Sequence, residues 1–82
     1  MSKLYRPPRP LQVAADAAGR PVAVRWRGAL YRGQAHSHWR IHTGWWEEEI
    51  WRDYYLWEGE GLLCELYRDR LRGDWYMHRV YD

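Results

Sequence analysis

The histidines of the segment HSHWRIH are the first residues whose types and spacing suggest chemistry. His36 and His38 lie two positions apart, so on a β-strand they would point the same way and share one metal ion, with Glu49 or His42 as a third ligand. A zinc site also needs ordered partners behind its ligands, and the sequence identifies none. We therefore predict no metal and no cofactor, and we expect these histidines to face solvent or to form salt bridges.

Nucleophilic catalysis has even less support in the sequence. Ser37 would alternate inward beside histidines that face outward, Ser2 lies in the N-terminal segment, and Cys64 falls on a predicted core face. The acidic run of residues 47–49 is typical of a solvated surface, and there is no glycine-rich phosphate loop. We predict that the protein is not an enzyme and has no small-molecule substrate.

Aromatic and cationic side chains carry the remaining candidate chemistry. The chain has 7 Trp, 7 Tyr and no Phe, and these two ring types are common on binding surfaces as well as in small cores. One predicted face combines rings with cations: Arg32, His36, Arg40, Trp51, Tyr55 and Trp57. Such a mixture binds single-stranded nucleic acid on small barrels. The acids Glu47, Glu49 and Asp53 on the same side would repel phosphates unless their cross-strand partners neutralise them.

Short β-strands are the elements expected to position these residues. Alternating runs separated by glycine turns predict strands near 11–15, 22–27, 30–42, 47–58, 62–68 and 75–81. The run 47–58 also fits a helix, but its aromatic density and the following Gly59-Glu60-Gly61 favour a hairpin strand. Gly61 would then take the left-handed position of a three-residue turn.

The register between the third and fourth strands follows from a two-residue turn at Thr43-Gly44. That turn would set Arg40 opposite Glu47, His38 opposite Glu49 and Gln34 opposite Asp53. One face would then be the apolar core, built from Tyr31, Ala35, Ile41, Trp46, Arg52, Leu56, Leu62, Cys64 and Leu66. The reverse face would carry Arg32, His36, Trp51, Tyr55, Trp57, Leu63 and Tyr67. On the last strand either Trp75 and Met77 or Tyr76 and Val80 would point inward, unless a bulge serves both pairs.

The length of 82 residues supports one small domain with a thin core. We predict a mostly β fold, a small antiparallel barrel or strongly bent meander sheet of five to six strands over residues 11–82. Residues 1–10 contain Lys3, Arg6, Arg9 and three prolines, and they are predicted to form a flexible basic arm.

The net charge of +2 conceals a strong asymmetry along the chain. Residues 1–42 hold eight Lys and Arg against the single acid Asp16, whereas residues 43–82 hold five Arg against ten acids. Either basic strands pair with acidic ones, or the basic half meets an anionic partner. The single cysteine and the lack of a long apolar run favour a cytoplasmic protein without a membrane partner.

Recurrent aromatic motifs also suggest a family. They are Trp26-Arg27-Gly28 with Tyr31; Trp39 before Trp45-Trp46; Trp51-Arg52; Tyr67 with Asp69; and Trp75, Arg79, Val80 and Asp82. Across residues 22–82 the chain resembles the uncharacterised bacterial domain-of-unknown-function family number 6504. The resemblance implies no activity, and at most an accessory place in DNA repair. His36, His38 and His42 stand where the family pattern has other residue types, and a longer insertion after the paired Trp is missing here.

These observations lead to two functional hypotheses. The first is a non-enzymatic accessory module, associated with DNA repair, that binds single-stranded nucleic acid or a repair protein through the aromatic and basic face. The second is a structural or self-associating domain whose exposed Trp and Tyr form a homodimer interface.

Overall fold

The computed structural model describes residues 2–44 and 48–81. Its seven strands are β1 (Ser2–Ala15), β2 (Pro21–Trp26), β3 (Ala29–Arg32), β4 (Gln34–Gly44), β5 (Glu49–Gly59), β6 (Leu62–Asp69) and β7 (Trp75–Tyr81). They form one antiparallel sheet in the order β3-β2-β1-β7-β6-β5-β4, curled into a half-barrel. The predicted mostly β, strongly bent sheet is confirmed, with seven strands instead of five to six.

The N-terminal segment is a strand where the sequence predicted a flexible arm. Both ends of the segment pair with β7: Ser2 lies opposite Tyr81, and Arg9 lies opposite Met77. The ladder is irregular between these two stretches, and that is where Pro7 falls, so its missing N–H interrupts no ladder bond. Between them Tyr5 is buried and joins the core. This apolar anchor, together with pairing to β7, fixes the segment.

The predicted strand 30–42 is two strands on opposite edges of the sheet. The chain leaves β3 and enters β4 through Gly33, whose N–H donates to the Val22 carbonyl at 3.1 Å. At this crossing the backbone of Gly33 lies directly against Glu58 and Gly59. An added Cβ on Gly33 would meet the Glu58 carbonyl, so the close approach requires glycine. The strand pattern alone does not reveal such a crossing.

The predicted register of β4 against β5 is wrong. Arg40 lies opposite Asp53 and His38 opposite Tyr55, and the ladder continues to Gly44 opposite Glu49. Gly44 is therefore part of β4, and no two-residue turn forms with Thr43. The pairings predicted for Trp46 and Glu47 lie outside the described residues.

A tight turn of two residues joins β5 to β6. Glu60 and Gly61 both have positive φ, 52° and 88°, and Gly59 pairs with Leu62. This is the type I′ hairpin, so the left-handed Gly61 is confirmed but the three-residue turn is wrong. Side chains alternate with period two, so a turn shorter by one residue exchanges the two faces of β5 relative to β6.

The core lies on the inner face of the curled sheet. Its buried members are Tyr5, Leu11, Val24, Tyr55, Trp57, Leu62, Cys64, Leu66 and Met77. Leu62, Cys64 and Leu66 are on the face predicted for them. Ile41 is 39% exposed, and neither Arg52 nor Leu56 belongs to the cluster, because the shorter turn places Tyr55 and Trp57 inside instead.

An irregularity in the β6–β7 ladder resolves the orientation of the last strand. Leu66 pairs with Met77, whereas Glu65 pairs with Arg79, so His78 is an extra residue on β7. Trp75, Met77 and Val80 consequently all pack with the core. The bulge thus turns side chains from both of the alternative predicted faces towards the core.

Candidate functional site

The six side chains predicted to share one exposed face do not do so. Trp57 has no exposed surface and Tyr55 is 6% exposed, while Trp51 is half-buried. Arg32 ends β3 at one edge of the sheet, whereas His36 and Arg40 belong to β4 at the other edge. The physical reason is the two-residue turn after β5, which directs the odd-numbered rings of that strand inward. Two of the three predicted stacking planes are therefore inaccessible to a base.

The two buried rings have structural contacts. The Trp57 indole Nε1 donates a hydrogen bond to the Pro21 carbonyl at 2.9 Å, so its only polar atom is satisfied inside the core. The Tyr55 ring stacks on His38 with centroids 4.7 Å apart, and burial raises the pKa of the Tyr55 hydroxyl. These contacts tie β5 to its neighbours on the inner face.

Arg40 is held in an ion-pair cluster around Asp53, which is 3% exposed. The Asp53 carboxylate accepts hydrogen bonds from Arg40 Nε at 2.7 Å and from Arg70 at 2.8 Å, and His38 Nε2 lies 3.2 Å away. Burial acts to raise the pKa of Asp53, but the hydrogen bonds from Arg40, Arg70 and His38 outweigh it and lower the pKa to about 2. Arg40 is therefore neutralised locally.

Each histidine of β4 meets a different carboxylate. His36 Nε2 lies 2.7 Å from Glu58, and His42 Nε2 lies 2.8 Å from Glu49, while His38 faces Asp53. Within residues 2–44 and 48–81, no three His, Cys, Asp or Glu side chains gather closely enough to hold a metal ion. As expected, the three histidines are exposed to solvent, and each lies beside a carboxylate.

The three strands β1, β2 and β3, with their connecting turns, form what we call the basic end of the sheet. It carries seven cations: Lys3, Arg6, Arg9, Arg20, Arg25, Arg27 and Arg32. All seven are exposed, and in the described part of the chain none pairs with a carboxylate. Two carboxylates reach this end, and both accept backbone N–H bonds: Asp16 within its own turn, and Glu60 from the N–H of Arg32.

The sheet order explains why these cations form no ion pair with the described carboxylates. β2 pairs with β1 and with β3, so the basic strands lie side by side rather than against acidic partners. The uneven distribution of charge along the sequence therefore becomes an uneven distribution of charge across the sheet. Of the two readings left open by the sequence, strand pairing between basic and acidic segments accounts for β4 against β5 but not for the basic end.

A small pocket opens at the basic end where β1 and β2 part. It has a volume of about 310 Å³ and is lined by Tyr5, Arg9, Pro10, Arg25, Trp26 and Arg27. β1 and β2 pair only from Gln12 opposite Arg25 onward, which leaves the gap. Tyr5 packs edge-on against Trp26 with centroids 5.3 Å apart. We refer to this as the Tyr5 pocket. The sequence does not reveal it, because residues 1–10, which include Tyr5, are predicted to form a flexible arm.

The outer face carries a row of stacked rings that the sequence pattern does not predict. Trp39, Tyr54, Tyr67 and Tyr76 follow one another across β4, β5, β6 and β7, with successive centroids 5.6, 5.0 and 5.3 Å apart. Tyr54 and Tyr67 are buried by their neighbours, whereas Trp39 at the β4 edge is 38% exposed. Only the end of this row therefore offers much ring surface to a partner.

The lone cysteine is not a nucleophile in this fold. Cys64 is fully buried in the core, and burial raises the pKa of its thiol to about 12. The thiol therefore stays protonated at neutral pH, and only a thiolate would be reactive.

Comparisons with family models, curated proteins and solved structures found no match to this chain. The similarity to the uncharacterised bacterial family stays a prediction. None of the described residues forms a helix long and apolar enough to cross a membrane.

Proposed function

We propose that the protein is a non-enzymatic accessory module that binds single-stranded nucleic acid through its basic end. The observation that carries this proposal is the set of seven exposed Lys and Arg side chains that pair with no carboxylate in the described chain. Such cations attract phosphates and release the counterions that surround them, which favours binding at low salt. The ion-paired Arg40 contributes little to this attraction.

Aromatic surface at the same end favours a single strand over a duplex. Trp26 is half-buried, and the Arg27 guanidinium carbon lies 5.6 Å from its ring centroid, so part of the ring is available beside a cation. Unpaired bases stack on such rings, whereas the bases of a duplex are already stacked on each other. Arg32, one of the six residues singled out from the sequence, belongs to the basic end. The link to DNA repair, a repair protein as partner and a cytoplasmic location stay predictions.

A salt titration tests the proposal. Binding of a fluorescently labelled single-stranded oligonucleotide should be measurable at low ionic strength and should weaken steadily as salt rises. Arg32→Gln should weaken binding and flatten the salt dependence by about 0.7 in the log–log slope. Arg72→Gln is the matched control, since Arg72 is also exposed but lies in the β6–β7 connection. Absence of binding at low salt, or equal loss in both variants, would refute the proposal.

A homodimer is the second candidate, and the β4 edge favours it. β4 is the last strand of the sheet, and its outer face exposes Trp39 and Ile41, 38% and 39%. An unpaired edge with apolar side chains is a template for a second strand. If two copies pair here, sedimentation will show mass rising with protein concentration, and Ile41→Lys will abolish the rise. A monomer at all concentrations would exclude this candidate.

A further inference from the structure

Three cations surround the single ring of Tyr5. Lys3 Nζ lies 5.3 Å and Arg9 Cζ 5.8 Å from the ring centroid, and Arg27 donates a hydrogen bond to the Tyr5 hydroxyl at 3.2 Å. Tyr5 itself is 6% exposed, so its position is fixed by the core. The three cations consequently lie close together around one ring, although all three residues are exposed.

The polar side chains that line the Tyr5 pocket are rich in donors and poor in acceptors. Arg9 and Arg27 line the pocket and hold their guanidinium groups against Tyr5, and a guanidinium group only donates. The Tyr5 hydroxyl accepts from Arg27, and no acceptor among the described residues receives its proton. A ligand that satisfies this set must bring several acceptor oxygens and negative charge, which is the chemistry of a phosphate.

The conformation of Arg27 is unusual for its residue type. Arg27 and Gly28 are the central residues of the turn between β2 and β3, and both have positive φ, 51° and 81°. Asn, Asp or Gly normally fills the first of these positions, because the Cβ of most residues disfavours a positive φ. Glu60 has the same conformation in the β5–β6 turn, so the positive φ does not by itself mark a site; what sets Arg27 apart is that its guanidinium reaches the Tyr5 hydroxyl.

We propose that the Tyr5 pocket binds a terminal phosphate of the nucleic-acid strand. A terminal phosphate has three free oxygens and up to two negative charges, whereas an internal phosphodiester has two free oxygens and one charge. The Lys3 ammonium, the Arg9 and Arg27 guanidinium groups and one hydroxyl donor match the terminal group better. This inference rests on the proposed function, because it names the part of the strand that the basic end recognises.

The experiment compares one labelled oligonucleotide sequence in three forms: with a 5′-phosphate, with a 3′-phosphate and with neither. We expect one phosphorylated form to bind the wild-type protein about tenfold more tightly than the unphosphorylated form, as for a hydrogen-bonded charged group. Tyr5→Phe should reduce this preference, and Arg27→Asn should abolish it. Arg72→Asn, which removes an exposed Arg far along the chain, should keep it.

Folding of the variants is checked by thermal unfolding. Arg27→Asn should fold, since Asn suits the positive φ of the turn.

Equal binding of all three forms would overturn the terminal-phosphate site while leaving the proposed function intact. If no form of the oligonucleotide binds at low salt, the proposed function fails. Whether the Tyr5 pocket binds phosphate is then tested separately, by thermal unfolding with inorganic phosphate. A phosphate-dependent rise in the unfolding temperature that is smaller in Arg27→Asn supports the site, and an equal rise refutes it.

Discussion

At the scale of the residue, Asp53 shows how a buried carboxylate is kept charged. Removal from water disfavours the ionised form, and the side chain is 4% exposed. Hydrogen bonds from Arg40 and Arg70 replace the lost hydration, while both arginines keep contact with solvent at 48% and 36% exposure. Through these two hydrogen-bonded arginines, Asp53 of β5 links β4 to the β6–β7 connection.

Asp53→Asn should lower the free energy of unfolding at neutral pH by about 2 to 3 kcal/mol, because two charge-assisted hydrogen bonds lose their acceptor charge. Urea unfolding measures the change. Glu49→Gln is the control: its pairing with His42 is exposed on both sides, so its loss should cost less than about 0.5 kcal/mol. Equal losses in the two variants would contradict the role of burial.

The pH dependence of the same variant checks the source of the effect. The pKa of Asp53 is lowered from its ordinary value of 3.8 to about 2 in the folded protein. Its contribution to stability is therefore present above about pH 4 and lost as the pH falls towards 2, a loss of roughly 2 kcal/mol. Wild type and Asp53→Asn should converge in that range. A difference that persists unchanged at pH 2 would show that the charge is not responsible.

At the scale of the element, the crossing of Gly33 over Gly59 shapes the sheet. The chain passes there from the β3 edge to the β4 edge, and an added Cβ on Gly59 would meet the Arg32 carbonyl. Two glycines remove the side chains that would hold these backbones apart. The curl of the half-barrel depends on this contact, because β3 and β4 are consecutive in the chain yet lie at opposite edges.

Gly33→Ala should destabilise the fold by about 3 kcal/mol or more, because the new methyl group collides with backbone that has no room to move. Thermal unfolding followed by circular dichroism measures the loss. Gly44→Ala is the matched control: no atom of the described residues lies within 4 Å of the added atom, so stability should change by less than about 0.5 kcal/mol. A Gly33→Ala protein as stable as this control would show that the crossing is not tight.

At the scale of the whole molecule, charge is separated between the two ends of the sheet. The ion pairs of the described residues all lie within residues 36–78, whereas the basic end has none. A net charge of +2 therefore understates the attraction that one end exerts on a polyanion. Because the charges are separated, a polyanion would be attracted by the local patch of cations at the basic end and not by the net charge of the whole protein.

The salt titration of the proposed function has a quantitative expectation at this scale. Two phosphate contacts, as many as the net charge, would give a log–log slope of about −1.4 for a single strand. A basic end with seven free cations should give a steeper slope. A slope no steeper than about −1.4 would show that the cluster does not act together on the strand.

Much of the fold could be predicted because apolar and polar residues alternate with period two along the sequence. The strand character of residues 49–58, the inward Leu62, Cys64 and Leu66, and the left-handed Gly61 all follow from local pattern. The basic half of the chain is equally visible in the composition. These features depend on neighbouring residues only.

Tertiary structure decided which faces and charges meet. The sequence does not fix whether Glu60-Gly61 closes a two-residue or a three-residue turn, yet this one residue turns Tyr55 and Trp57 from surface to core. The burial of Tyr5 likewise depends on β7, which lies at the other end of the chain. The basic strands lie side by side, and the Tyr5 pocket forms between them, because each strand pairs with a partner selected by the packing of the whole sheet. These partners are far apart along the chain, so no local sequence pattern predicts them.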